Sequence, residues 1–127
     1  MRIDILTLFP EIALAPLRES IIKRAQKAEI VEIHAHDLRS WALDKHRKTD
    51  DYLCGGGQGM LLKPEPVFAA VADLRKEGTK VILTTPQGLP FKQENAQKLS
   101  SSGHLIFICG HYEGVDHRIV EHLVDEE

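Results

Sequence analysis

Apolar and polar positions change period several times along the chain, and each change marks a new strand or helix. Arg2 to Phe9 has β-type character and is closed by Pro10. Leu14, Leu17, Ile21, Ala25 and Ala28 then recur at helical spacing, and Pro16 predicts a helix starting there, with proline in its first turn. Val31 to Asp37 alternates apolar with polar residues, as a half-buried strand does. Leu38 to Gly59 is a long connection with little periodicity, apart from a short helix expected around Trp41. Connections of that length are more often functional than idle.

From Pro64 the helical period returns: Val67, Ala70, Val71 and Leu74 share a face, and Gly78 is the expected stop. Lys80 to Thr85 is a short, β-branched apolar run closed by Pro86. Gln93 to Leu99 reads as a helix and Ser100 to Gly103 as a turn. Leu105 to Cys109 is a second apolar run, closed by Gly110. Runs buried on both faces are typical of central parallel strands, and helices alternate with them. The predicted architecture is an α/β fold, an open parallel sheet with flanking helices.

Composition narrows this picture. A chain of 127 residues, 43% hydrophobic and 28% charged, suits one soluble globular domain with a single core. No run of about 18 uncharged apolar residues is present, so no membrane-spanning helix is expected. Asp4 interrupts the first apolar stretch, which removes the layout of a signal peptide. Cys54 and Cys109 stand far apart without CxxC spacing, so a disulfide framework or zinc ribbon is not expected and a reducing cytoplasm is.

The net charge of −3 gives no global pull toward nucleic acid, yet Arg39, Lys45, Arg47 and Lys48 cluster against one acid, Asp44. Alone, such a stretch is more often a solvated surface. His34 and His36 share a strand face without a third ligand nearby, so no metal site is expected. His104 and His122 are expected at the surface.

Ligands of open parallel sheets bind beyond the carboxyl ends of central strands. Here those ends carry Thr84-Thr85-Pro86-Gln87-Gly88 and Gly110-His111-Tyr112-Glu113-Gly114. The glycines let backbone approach a ligand closely, and Glu113 can meet a cationic one. Together the loops point to a small nucleotide-like ligand. No GxGxxG follows the first strand, and Cys54-Gly55-Gly56-Gly57-Gln58-Gly59-Met60 lacks the GK[ST] of a P-loop. The long connection carries a second cluster, His46-Arg47-Lys48-Thr49-Asp50-Asp51-Tyr52, ahead of that glycine-rich segment. Arg47 and Lys48 can contact phosphate, and Asp50 or Asp51 can accept hydrogen bonds from a guanine edge or ribose hydroxyls. Four glycines in five positions predict a segment that stays mobile until something binds it.

Four motifs in order, covering the whole chain, resemble one family. They are Leu8-Phe9-Pro10-Glu11, the HRxxDDxxxGGGxGM pattern from His46 to Met60, Pro86-Gln87-Gly88, and Cys109-Gly110-His111-Tyr112-Glu113-Gly114-Val115-Asp116 with Arg118. The family is TrmD, the bacterial tRNA (guanine-N1)-methyltransferases of the trefoil-knot (SPOUT) class. The resemblance implies a knotted α/β domain that binds S-adenosylmethionine, works as a homodimer, and methylates N1 of the guanosine 3′-adjacent to the tRNA anticodon. It implies that Thr84, Thr85, Pro86 and Gly88 form one wall of the cofactor pocket, and Gly110, Tyr112, Glu113 and Gly114 another. It implies that His46, Arg47, Asp50, Asp51, Gly55, Gly56, Gly57, Gly59 and Met60 clamp the tRNA. The family's activity is also linked to magnesium.

Two departures follow. His111 stands where the family usually has arginine, so no phosphate or carboxylate contact is carried over to that side chain. Family members also continue past the position of Glu127 into a knot-closing loop, a linker with the catalytic aspartate and a helical tRNA-binding domain. Residues 1–127 are therefore expected to be an incomplete S-adenosylmethionine-binding domain, inactive alone and without a catalytic residue of its own. The alternative reading is a non-catalytic RNA-binding or dimerisation module derived from that enzyme.

Overall fold

The computed structural model describes residues 1–53 and 56–127. The chain runs β1 (Arg2–Thr7), α1 (Pro10–Leu14), a 3-10 turn (Ala15–Arg18), α2 (Ser20–Lys27), β2 (Glu32–Asp37) and a second 3-10 turn (Leu38–Trp41). It continues through β3 (Asp50–Tyr52), β4 (Met60–Leu62), α3 (Pro64–Leu74), β5 (Lys80–Thr84), α4 (Gln93–Ser100), β6 (His104–Cys109) and α5 (His117–Leu123). Strands β2-β1-β6-β5 form a four-stranded sheet in that order, and each neighbouring pair is parallel.

Alternation along the strands gives the sheet two apolar faces. On one face Leu6, Val81, Leu83, Ile106 and Ile108 pack with Val67, Ala70 and Val71 of α3 and Ile119 of α5. On the other, Ile82 and Leu105 pack with Leu99 of α4, beside Ile3 and Phe107. Pro64 opens α3 at a position where its missing N–H costs nothing. The buried stripe of α3 is the one its sequence spacing predicts.

Several expectations need correction. The sequence reading makes β5 central, but it pairs only with β6 in the sheet. Its outer edge is covered by the chain's last residues: the Leu83 N–H donates to Glu126 O at 3.0 Å, and the Asp125 N–H donates to Val81 O at 2.8 Å. A covered edge needs no polar face, so β5 reads as an interior strand. The helix placed from Pro16 begins earlier, at Pro10, and comes in three pieces. Pro16 lies in the 3-10 turn, and Ser20, at φ +54°, breaks the run again. The apolar spacing persists because Leu17, Ile21 and Ala25 all line one groove over the sheet. Gly78 is not the cap of α3, which ends at Leu74; it forms a later turn at φ +76°.

His104 is buried rather than superficial. Its partner is Asp4, which points into the protein with none of its surface exposed. Arg2 Nε donates to Asp4 Oδ2 at 2.7 Å and Arg2 Nη2 to Oδ1 at 2.9 Å. His36 Nε2 lies 2.6 Å from Oδ1 and His104 Nε2 2.6 Å from Oδ2. The Thr79 hydroxyl accepts from the Lys76 N–H at 2.8 Å and sits 2.7 Å from His104 Nδ1. Burial alone would push the Asp4 carboxyl up; the hydrogen bonds from Arg2, His36 and His104 outweigh it and hold the group well below the usual carboxylate range. His36 is thereby committed to Asp4, while His34 pairs with Glu32 at 2.7 Å. His122 is exposed, as expected.

Candidate functional site

Thr84 and Cys109 pair across β5 and β6, so the loops that follow these strands leave the sheet side by side. The Thr84 hydroxyl fastens the two ends by donating to Ile108 O at 3.2 Å. Between the loops lies a cleft of about 210 Å³ lined by Leu83, Thr84, Thr85, Pro86 and the run from Gly110 to Val115. Seven of the eight residues expected to hold a cofactor meet there: Thr84, Thr85, Pro86, Gly110, Tyr112, Glu113 and Gly114. The eighth, Gly88, lies in an adjoining cleft of about 950 Å³ that shares Leu83 to Pro86 and extends past Leu89 and Phe91 to the tail at Asp125–Glu127. Gly88 abuts the tail itself, since a Cβ there would stand 2.5 Å from the carbonyl carbon of Glu127.

The second loop is laid flat by two unusual backbone angles, φ +64° at Tyr112 and +151° at Gly114. A non-glycine residue in the left-handed region costs about 1–3 kcal/mol and persists only when its surroundings enforce it. Here the surroundings are aromatic. The His111 ring lies between Phe9 and Tyr112, with both ring centroids 5.0 Å away in edge-to-face geometry. The Arg39 guanidinium stands over the Phe9 ring, 5.8 Å from its centroid, while Nη1 donates to Leu8 O at 2.7 Å. Sequence reasoning placed Phe9 in a motif without a role and Arg39 in a solvated basic stretch; both buttress the cleft wall. Burial pushes the Cys109 thiol up, which favours its neutral form. Asp116 is taken by Arg118, whose side chain holds its carboxyl below the usual range by hydrogen bonds at 2.8 and 2.9 Å.

The described residues of the second cluster carry local hydrogen bonding. Asp44 accepts from the His46 N–H at 3.0 Å and the Lys48 N–H at 2.9 Å, closing a turn that leaves His46, Arg47 and Lys48 exposed. Asp50 and Asp51 stand on β3, which pairs antiparallel with β4 from Asp50↔Leu62 to Tyr52↔Met60. This hairpin was not foreseen, because three-residue strands are too short to show a period. Gly56, Gly57 and Gly59 lie between its strands, all at positive φ. Gly55 falls outside the described residues. Met60 is tied to the first cluster: its carbonyl accepts from the Glu113 N–H at 3.0 Å. His46, Arg47, Asp50 and Asp51 do not line the cleft. Among the described residues no helix is long and apolar enough to cross a membrane.

Comparison with known proteins gives a consistent result. The family model of tRNA (Guanine-1)-methyltransferase TrmD matches residues 1–127. The chain is 58% identical over 128 aligned residues to the tRNA (guanine-N(1)-)-methyltransferase of Staphylococcus carnosus (strain TM300). It is 57% identical to the protein of the same name from Staphylococcus haemolyticus (strain JCSC1435) and 54% to that from Staphylococcus aureus (strain Newman). Each alignment covers 100% of this chain and 52% of the relative, so the chain spans about half the length of the curated relatives it matches. With the match running from the first residue to the last, the chain belongs to the tRNA (guanine-1)-methyltransferase TrmD family.

Proposed function

We propose that this chain supplies the methyl-donor pocket and an RNA-facing hairpin of an enzyme that methylates N1 of the tRNA guanosine 3′-adjacent to the anticodon. The observation that carries this reading is the convergence of the two strand-end loops on one cleft, in a chain of this family. S-adenosylmethionine, when bound, supplies an electrophilic methyl on a sulfonium. The carbon–sulfur bond breaks as the carbon–nitrogen bond forms, and guanine N1 gives up its proton to a base.

The residues present fit that donor by chemistry. The cleft combines one exposed carboxylate, Glu113, with two threonines and the apolar Leu83, Pro86 and Val115. This suits a ligand with a cationic centre, polar ends and a flat base. Holding donor and acceptor in line lowers the barrier by removing orientational freedom, the main service a rigid wall can give. The exposed turn at His46 to Lys48 suits phosphate contacts, with Asp51 exposed beside it on β3. The same reading takes residues 1–127 as part of a trefoil-knotted SPOUT domain, working as a homodimer in the cytoplasm. Among the described residues no group of three or more His, Cys, Asp or Glu side chains is arranged to hold a metal ion.

The test is direct. The native protein, given S-adenosylmethionine carrying a labelled methyl and unmodified tRNA, should yield labelled N1-methylguanosine on nucleoside mass spectrometry. Label on another atom, or none, overturns the reading.

A further inference from the structure

The glycine-rich hairpin and the donor-binding loop are joined along their backbones. Glu113 N–H donates to Met60 O at 3.0 Å, Leu62 N–H to Gly114 O at 2.9 Å, and Asp116 N–H to Leu62 O at 3.1 Å. Strand β4 therefore runs parallel beside residues 113–116, with a bridge between Leu62 and Val115, while its other edge pairs with β3. Leu62 is fully buried, which anchors this ladder to the main core.

At the start of β4 the contact passes through a side chain. Gly59 has φ +114°, and a Cβ built on it would overlap Cγ of Glu113 and crowd its carboxyl carbon at 3.2 Å and Oε1 at 3.3 Å. The space that a side chain at position 59 would fill is the space Glu113 occupies. Neighbouring glycines differ: a Cβ on Gly56 would meet nothing within 4 Å, and one on Gly57 only the tip of Leu53 at 3.4 Å. Turn geometry accounts for those two. At Gly59 the positive φ asks for glycine as well, but there the space beside the Cα is also filled by a residue of the donor cleft.

We infer that Gly59 is a positioning residue for the methyl donor: it forms the slot that holds the Glu113 side chain at the cleft. This rests on the proposed function, and deepens it by giving one residue of the glycine-rich hairpin a part in the donor side of the site. A side chain at 59 displaces the carboxylate and leaves the RNA-facing turn at His46 to Lys48 where it is, because that turn is closed on Asp44.

A double-mutant cycle on the native protein tests it, with S-adenosylmethionine binding read by calorimetry and the Michaelis constants for donor and tRNA read by methyl transfer. Gly59→Ala should weaken donor binding about tenfold or more, and raise the donor KM while leaving the tRNA KM within about twofold. In a Glu113→Ala background, where no Cγ remains to collide, the same change should cost about threefold or less. Equal losses in both backgrounds, as general misfolding or backbone strain at φ +114° would give, overturn the slot. So does a rise in the tRNA KM alone, which would return Gly59 to the RNA side. Failure of the unaltered protein to bind S-adenosylmethionine would instead strike the proposed function itself.

Discussion

Arg2 and Asp4 in the amino-terminal half of β1, His104 at the start of β6 and Thr79 just before β5, joined by His36 from the far end of β2, form a group in which both carboxylate oxygens carry two partners each. At the carboxyl ends of β5 and β6, Glu113 stands exposed on a loop between Tyr112 and Gly114, both at positive φ. Strands β5 and β6 lead out of the first arrangement and into the second. One end spends its polar groups on each other; the other leaves them turned to solvent, where a ligand can take them. Buried polar networks are costly when incomplete and rigid when satisfied, whereas binding sites need groups whose partners are still to come. The prediction from this contrast is that the first end governs stability and the second governs activity, with little crossover.

The largest effect should come from breaking the closed end. Asp4→Ala leaves His104 and Arg2 facing a vacated, buried carboxylate site, and should cost about 3–5 kcal/mol in chemical denaturation. Donor affinity per folded molecule should stay unchanged, and a change there would show that the two ends are mechanically linked. The pH dependence follows from the same carboxylate. Its folded-state pKa is depressed, so its stabilisation is fully present above the ordinary aspartate value, about 3.9, and is lost as pH falls through the folded value. Denaturation midpoints should therefore fall in acid below about pH 4, and an Asp4→Asn variant should lack that component of the slope. Thr79→Val is a smaller cut. It leaves His104 Nδ1 and the Lys76 N–H without their shared hydroxyl, at a cost of about 1–3 kcal/mol. A neutral result would mean that the hydroxyl contributes nothing and the group ends at His104.

The contrast also explains what could be read from sequence. Strands β1 and β6 and helix α3 were visible because their buried positions write themselves into the apolar pattern, whereas β2 showed through its alternation although none of its residues is fully buried. The loops that line the candidate cleft were visible because they follow two apolar strands directly. His104 was not, because its burial is decided by Asp4, a hundred positions away in the chain. Strands β3 and β4 were hidden for the same reason: β4 is held by residues 113–116, not by its own apolar pattern. Strand β5 looked central because the tail at Asp125 and Glu126 covers its edge. What stayed illegible was long-range pairing of polar or very short segments. That is where the closed end and the hairpin both lie.

The smallest effect should be the most informative about the open end. His111 departs from the arginine expected there, and its ring fills the gap between Phe9 and Tyr112. Aromatic pairs in this geometry are worth about 0.5–1.5 kcal/mol beyond their buried area, and less at exposed positions such as Phe9, Tyr112 and His111. His111→Ala should therefore move the denaturation midpoint little. It should still weaken donor binding about threefold, because Tyr112 loses the neighbour that helps hold its left-handed backbone. His111→Phe keeps a ring at the same place without the imidazole nitrogens. If the ring is what matters, calorimetry on the phenylalanine variant should return the unaltered protein's affinity, with the alanine variant alone reduced. Equal loss in both variants would assign the role to an imidazole nitrogen, and the wall would then owe its shape to polar contacts rather than to stacked rings.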